Sequence, residues 1–159
     1  VEFLAVNEIV ADVVERLALE ECPIVLGPGG TLFEIKHALD LNATLLGFDV
    51  WQQGRQLGAD VDAAWLLAEI QTAIVVLSFT RGQGFLIGRG NQQLSADFLR
   101  RVGRDALWVV GTRTKLGSLE GRALLLDTDD PELDRRFSGL IEVTAGYEDR
   151  LFHRVSSIA

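Results

Sequence analysis

A glycine-rich segment, residues 81–93, carries the residue types best suited to binding a small anion. Its four glycines allow positive φ or a close approach of the backbone to a ligand, and arginine offers a forked donor for phosphate or carboxylate. We interpret the segment as one wall of a polar small-molecule site. The expected ligand-binding residues are Arg81, Gly82, Gln83, Gly84, Gly88, Arg89, Gly90, Asn91 and Gln92. The alternative is an ordinary glycine-rich hairpin with solvated arginines.

A second glycine-rich turn, residues 27–31, follows an apolar strand predicted at residues 24–26. A helix is predicted behind it at residues 32–39, with Thr31 and Glu34 in the spacing of a capping box. The first amides of a helix lack internal partners and its dipole favours negative charge, so this turn is typical of an anion site. The residues expected to bind the anion are Gly27, Gly29, Gly30 and Thr31. The alternative is a tight turn with Thr31 as a plain N-cap, because no Walker ending or complete dinucleotide fingerprint is present.

Two aspartates stand at the predicted ends of apolar strands. Asp49 closes a strand predicted at residues 44–49, and Asp127 closes one predicted at residues 124–127. Ligands of open parallel sheets bind beyond the carboxyl ends of the strands, so both are candidate catalytic acids or bases, and Asp49 is also a candidate for a sugar hydroxyl. Asp49 is equally typical of a turn cap.

The other polar candidates are Thr112 and Lys115, which follow a strand predicted at residues 107–110 and are expected to line the same crevice. The only histidines, His37 and His153, have no Cys, His or acidic neighbour at metal-ligand spacing, so no metal site is predicted.

Apolar strands alternate with amphipathic helices along the chain, beginning with a helix predicted at residues 2–20. This alternation predicts one α/β domain over residues 1–159, a three-layer sandwich with a mostly parallel sheet. The chain has 159 residues, 48% of them hydrophobic, which is enough for a substantial core. It contains no methionine, so either the initiator was removed or the chain is part of a longer protein, and we expect it to be the C-terminal part of one.

The charge and apolar patterns bear on partners and location. A net charge of -8 argues against a nucleic-acid partner, which requires clustered Lys and Arg. No apolar run approaches the length of a membrane span and no signal peptide is recognisable, so a cytoplasmic protein without a membrane partner is expected.

Four segments together resemble a known family: residues 24–31, 44–50, 82–93 and 126–128. They are similar to the C-terminal half of the ATP-NAD kinase-like proteins, which include the group named after acetoin-catabolism protein X. The resemblance implies a domain that binds a nucleotide or another small phosphorylated molecule, with ATP and NAD as the cofactors to consider.

The same resemblance implies that this chain is not a complete kinase by itself. The Gly-Gly-Asp-Gly-Thr nucleotide motif of the NAD kinase and diacylglycerol kinase superfamily is absent, and that motif positions the phosphoryl donor. The chain also departs from the family at Gly30, where threonine is usual, and at Thr80 and Arg81, where a Pro-Ile-Gly approach is more typical.

A looser similarity links the chain to the phosphosugar isomerase fold typified by ribose-5-phosphate isomerase, which also places a glycine turn opposite a later glycine-rich block. Two other hypotheses therefore stay open. The chain is a stand-alone phosphosugar isomerase or hydrolase with Asp49 or Asp127 as base, or it is a structural domain that forms a homodimer through its N-terminal helix.

Overall fold

The computed structural model describes residues 2–88 and 91–158. The helices are α1 Glu2–Leu17, α2 Gly30–Ala38, α3 Ala63–Glu69, α4 Ala96–Val102, α5 Arg113–Gly117 and α6 Pro131–Phe137, with a short 3-10 helix at Arg104–Ala106. The strands are β1 Ile24–Leu26, β2 Phe48–Gln52, β3 Arg55–Val61, β4 Ile74–Leu77, β5 Phe85–Ile87, β6 Leu107–Val110, β7 Leu124–Leu126, β8 Gly139–Gly146 and β9 Asp149–Ser157.

All nine of these strands form one sheet in the order β3-β2-β1-β4-β6-β8-β9-β7-β5. The pairs β1–β4, β4–β6, β6–β8, β5–β7 and β7–β9 are parallel. The pairs β1–β2, β2–β3 and β8–β9 are antiparallel. The mostly parallel α/β sheet predicted from the sequence is therefore confirmed.

Two separate apolar cores lie on the two faces of the sheet. On one face, Ile9 and Val13 of α1 and Ile35 of α2 pack with side chains of β1 and β4. On the other face, Leu66 of α3, Phe98 of α4 and side chains of α6 pack in the second core. The arrangement of helices, sheet and helices confirms the predicted three-layer sandwich.

The sheet curls, so that its last strand returns beside the middle of the sheet. Five steps of the strand order separate β4 from β5, about 24 Å across a flat sheet. Their connection nevertheless folds on itself, since the Thr80 amide donates to the Phe85 carbonyl at 3.2 Å and the Gly84 amide donates to the Thr80 carbonyl at 2.7 Å. The curl brings β5 close to the carboxyl end of β4.

Helix α1 is shorter than predicted. It ends at Leu17 rather than at residue 20. Phe3 in its first turn is 72% exposed, whereas the charged Asp12 is buried. Its carboxylate is stabilised there because it accepts hydrogen bonds from Arg150 and from the Glu148 amide.

The strand predicted at residues 44–49 is also wrong, because β2 begins only at Phe48. The carbonyl groups of Thr44 and Gly47 bond instead to the Lys36 ammonium, at 2.9 and 3.0 Å, which holds residues 42–47 as a loop. Asp49 consequently lies within β2 rather than at its carboxyl end. It pairs with Leu26 of β1 across an antiparallel ladder.

Candidate functional site

A cavity of about 500 Å³ opens at the carboxyl ends of β1 and β4. The first turn of α2, the connection from β4 to β5, the loop before β2, helix α5 and the first residue of α1 all contribute to its wall. The lining residues are Glu2, Pro28, Gly29, Gly30, Thr31, Leu46, Ser78, Phe79, Thr80, Arg81, Phe85, Asn91 and Lys115.

The first turn of α2 forms one side of this cavity. Gly29 takes φ 113, a left-handed value that favours glycine, and its amide donates to the Leu45 carbonyl at 2.9 Å. The helix begins at Gly30 and no side chain caps it, so the predicted capping box of Thr31 and Glu34 is wrong. The first amides of the nine-residue helix have no partner within it, and they lie on the cavity wall.

Two cations lie on the other side of the cavity. Lys115 Nζ donates to Ser78 Oγ at 2.9 Å and lies 5.1 Å from the centre of the Phe79 ring. Burial and the neighbouring Arg81 charge lower the pKa of Lys115, which the carboxylate of Glu2 partly counters. Arg81 is exposed and pairs with Glu2 at 3.4 Å.

Glu2 brings one negative charge to the cavity. Its Oε1 accepts a hydrogen bond from Thr112 Oγ1 at 2.7 Å, and Thr112 itself does not line the cavity. The Thr112 hydroxyl also caps α5 by accepting from the Lys115 amide. Glu2 Oε2 is buried and bonds to no other residue of the described chain.

Asp49 is completely buried and does not line the cavity. Its carboxylate accepts from the Thr44 amide and hydroxyl at 2.9 Å, from the Asp60 amide at 2.8 Å and from Lys36 Nζ at 2.9 Å. Burial alone would raise the pKa of Asp49, but these donors together hold the pKa below its ordinary value. Because all these partners of the ionised carboxylate lie inside the protein, Asp49 is suited to fixing the loop before β2 in place.

Lys36, which was not predicted as a site residue from the sequence, is the buried ion-pair partner of Asp49. Both it and Asp49 are completely buried, and its ammonium donates to two loop carbonyls besides the carboxylate. Burial lowers the pKa of Lys36, whereas Asp49 and the acidic Asp60 oppose that effect. The available sequence signal is a lysine on the apolar face of α2, one position after Ile35.

The glycine-rich segment is divided between several environments. Gly82 donates its amide to Ser118 Oγ, Gln83 is exposed and Gly84 packs on Leu119. None of these three lines the cavity, and neither does Gly27, which packs against Leu77 and Phe48. Arg89 and Gly90 lie outside the described residues.

Asn91 lines the cavity but also organises its own loop. Its Oδ1 accepts from the Gly88 amide and its Nδ2 donates to the Leu86 carbonyl, both at 2.6 Å. The side chain is buried, and both polar atoms are used within the loop.

Gly88, Gln92 and Asp127 lie together in a different cavity of about 400 Å³. Asp127 comes directly after β7, as predicted, but it is separated from the first cavity. The predicted site residues are therefore dispersed: some line the first cavity, others line the second, and Asp49 lies in the buried pair with Lys36. Neither cavity is lined by Gly27, Gly82, Gln83, Gly84 or Thr112.

Several lining residues of the first cavity were absent from the sequence interpretation. Ser78, Phe79 and Thr80 follow β4 directly, and position after a parallel strand was the signal that could have identified them. Leu46 and Glu2 carry no such signal, because only the tertiary structure brings them to the cavity.

The described part of the chain holds neither a cluster of metal ligands nor a helix able to span a membrane. No group of three or more His, Cys, Asp or Glu within residues 2–88 and 91–158 is placed to hold a metal ion. Among the helices of these same residues, none has the length and apolar character needed to cross a membrane.

Comparison with known proteins agrees with the motifs. Residues 19–155, most of the chain, match the family model of the ATP-NAD kinase C-terminal domain. No curated protein and no solved structure matched, so the similarity to the phosphosugar isomerase fold stays a prediction. The match confirms the family inferred from the glycine-rich segments. The chain therefore belongs to the ATP-NAD kinase C-terminal domain family.

Proposed function

We propose that the domain binds a phosphorylated or nucleotide-like small molecule in the cavity at the carboxyl ends of β1 and β4, and that it is not a complete kinase by itself. The observation that carries the proposal is that the α2 first turn, Lys115 and Arg81 all line the same cavity. Unpaired helix amides and an ammonium group both favour an anion such as phosphate.

The remaining walls suit a ligand that has an apolar part as well as an anionic one. Leu46, Phe79 and Phe85 provide apolar surface, and aromatic rings pack well against flat heterocycles. Glu2 Oε2, which is buried without a partner in the described chain, is available to accept from a ligand hydroxyl. ATP, NAD and sugar phosphates combine these features in different proportions.

Calorimetric titration with ATP, NAD and several sugar phosphates tests the proposal. We expect at least one of them to bind more tightly than about 1 mM. Replacing Lys115 by Met removes a charge-assisted contact of about 1.5–3 kcal/mol and should weaken that binding about 10- to 100-fold. Arg113→Met is the matched control, because Arg113 lies on the same helix but pairs with Asp149 outside the cavity.

Two results would contradict the proposal. One is an absence of binding to all the phosphorylated compounds by the wild-type domain. The other is an equal loss of affinity in Lys115→Met and Arg113→Met, which would indicate a nonspecific charge effect.

A further inference from the structure

The Lys115 ammonium donates to the hydroxyl of Ser78, a residue that the proposed anion binding does not use. Ser78 Oγ lies 2.9 Å from Lys115 Nζ, and both side chains line the 500 Å³ cavity. Ser78 follows the last residue of β4 directly, so a strand of the central sheet holds it in place. We infer that Ser78 and Lys115 form a nucleophile and general-base pair that hydrolyses a carboxylic ester or thioester.

Lys115 has the surroundings that a lysine base requires. Its side chain is half-buried beside the Phe79 ring, and the charged groups facing it are Arg81 from the β4–β5 connection and Glu2 from α1. Burial and the Arg81 charge lower the pKa of Lys115, and Glu2 opposes them. Desolvation next to a second cation is a known way of making a lysine amine available as a base.

Hydrogen-bond donors suited to a developing oxyanion line the same cavity as Ser78. The parallel register pairs Leu26 with Val76, and Pro28 and Ser78 each lie two residues further on, just beyond the ends of these neighbouring strands. The first turn of α2 begins two residues after Pro28, and its unpaired amides line the cavity. Such amides stabilise the tetrahedral intermediate of acyl transfer.

Hydrolysis of the ester or thioester by this pair requires water as the only co-reactant. Ser78 Oγ bonds to the carbonyl carbon while its proton moves to Lys115 Nζ. The intermediate then breaks its bond to the alcohol or thiol, which leaves with the proton from Lys115. Water attacks the acyl carbon and gives a proton to Lys115. The carboxylic acid departs as the bond to Ser78 Oγ breaks, and Ser78 recovers its proton from Lys115.

This activity goes beyond the proposed anion binding and needs the opposite protonation state. Binding an anion uses the charged ammonium of Lys115, whereas accepting the Ser78 proton uses the neutral amine. Lys115→Arg therefore separates the two functions, because arginine keeps the positive charge but is not deprotonated in proteins.

The experiment treats the domain with phenylmethanesulfonyl fluoride and follows the adduct by intact mass and peptide mapping. We expect one adduct, on Ser78, that forms faster as the pH rises and Lys115 loses its proton. Lys115→Arg should form it about 100-fold more slowly, and Ser78→Ala should not form it. Arg113→Met should react at the wild-type rate. Release of p-nitrophenol from p-nitrophenyl acetate should follow the same order among the variants.

Three outcomes would overturn the inference: no adduct with the wild-type domain, an adduct on another serine, or an equal rate in Lys115→Arg. Circular dichroism of each variant identifies a folding defect. If Lys115→Arg is misfolded, the pH dependence of wild-type labelling decides, since a rate independent of pH between 6 and about 10 also overturns the inference. Titration of Ser78→Ala with ATP and NAD tests the anion site separately, because that variant keeps Lys115.

Discussion

At the scale of single residues, the buried pair of Lys36 and Asp49 determines the shape of the cavity wall. The two charged groups form an ion pair. Lys36 also donates to the Thr44 and Gly47 carbonyls, and Asp49 also accepts from the Thr44 and Asp60 amides. The loop before β2 is therefore fixed, and this loop places Leu46 in the cavity. Asp49 is a positioning residue in this arrangement.

Replacing Asp49 by Asn should destabilise the protein by about 3–5 kcal/mol, because the Lys36 ammonium would remain buried without its counter-charge. Urea denaturation measures the change. Asp40→Asn is the control, since Asp40 is exposed and its φ of 60 is one that asparagine tolerates, so its effect should stay within about 0.5 kcal/mol. Equal effects of the two substitutions would contradict the structural role of Asp49.

The same pair predicts a pH dependence of stability. Because the pKa of Asp49 is lowered in the folded protein, its contribution is present above its ordinary value of 3.8 and is lost as the pH falls through the lower folded value. The free energy of unfolding should therefore decrease below about pH 4. The decrease should be shallower in Asp49→Asn, and equal slopes in the two proteins would argue against this assignment.

Position 88 favours glycine for two reasons, its backbone conformation and a close neighbouring atom. Its φ is 122, and an added Cβ would lie 2.7 Å from the Asp127 carbonyl oxygen. Gly88→Ala should therefore lower the free energy of unfolding by about 1–3 kcal/mol in thermal denaturation. Gly117→Ala, with no neighbour near its added Cβ, should be neutral or slightly stabilising. A neutral Gly88→Ala would disagree with this geometry.

At the scale of elements, helix α1 is attached to the β8–β9 hairpin through one buried carboxylate. Asp12 accepts from Arg150 Nη2 at 3.0 and 3.2 Å, from the Glu148 amide at 3.0 Å and from Arg16 at 3.3 Å. The helix also supplies Glu2 to the cavity, so the attachment influences the geometry of the site.

Asp12→Asn should lower the free energy of unfolding by about 1–3 kcal/mol, because asparagine removes the negative charge of a buried network and replaces one acceptor oxygen with a donor amide. Amide hydrogen exchange should show faster exchange in α1 and in the β8–β9 turn than in β4. Glu8→Gln, one turn earlier on an exposed position of α1, is the matched control. Uniform protection in Asp12→Asn would mean that α1 is held mainly by its apolar face.

At the scale of the whole molecule, the cavity is assembled from parts that are far apart in the sequence. Glu2 is hydrogen-bonded to Thr112, and Lys115 is hydrogen-bonded to Ser78. The curl of the sheet adds Phe85 of an edge strand to the same wall. A ligand in this cavity would contact α2, the β4–β5 connection and α5 together.

Ligand binding should therefore stabilise the entire fold. A compound present at about 100 times its dissociation constant should raise the free energy of unfolding by about 2.7 kcal/mol. Urea denaturation with and without the tightest ligand from the calorimetric series measures this increase. It should be much smaller in Lys115→Met at the same ligand concentration and unchanged in Arg113→Met. An increase that is equal in all three proteins would place the ligand elsewhere.

The sequence by itself determined the family and most of the regular elements. Local chemistry explains this success, because Asp62, Ser95 and Asp130, residue types that favour helix N-caps, each accept from an amide in the first turn of the helix they precede. The apolar runs likewise predicted the strands at residues 24–26, 107–110 and 124–127, since burial on both faces of a sheet requires apolar side chains.

Only the tertiary structure decided which polar residues meet. A buried lysine neutralised by Asp49 and a helix beginning at Gly30 rather than behind Thr31 depend on contacts between separate segments. Asp127 and Gln92 lie at a cavity different from the first, whereas the parallel neighbours β4 and β6 end side by side and bring Ser78 and Lys115 together. Residue type and spacing determine what a side chain is able to do, whereas long-range packing determines its partner.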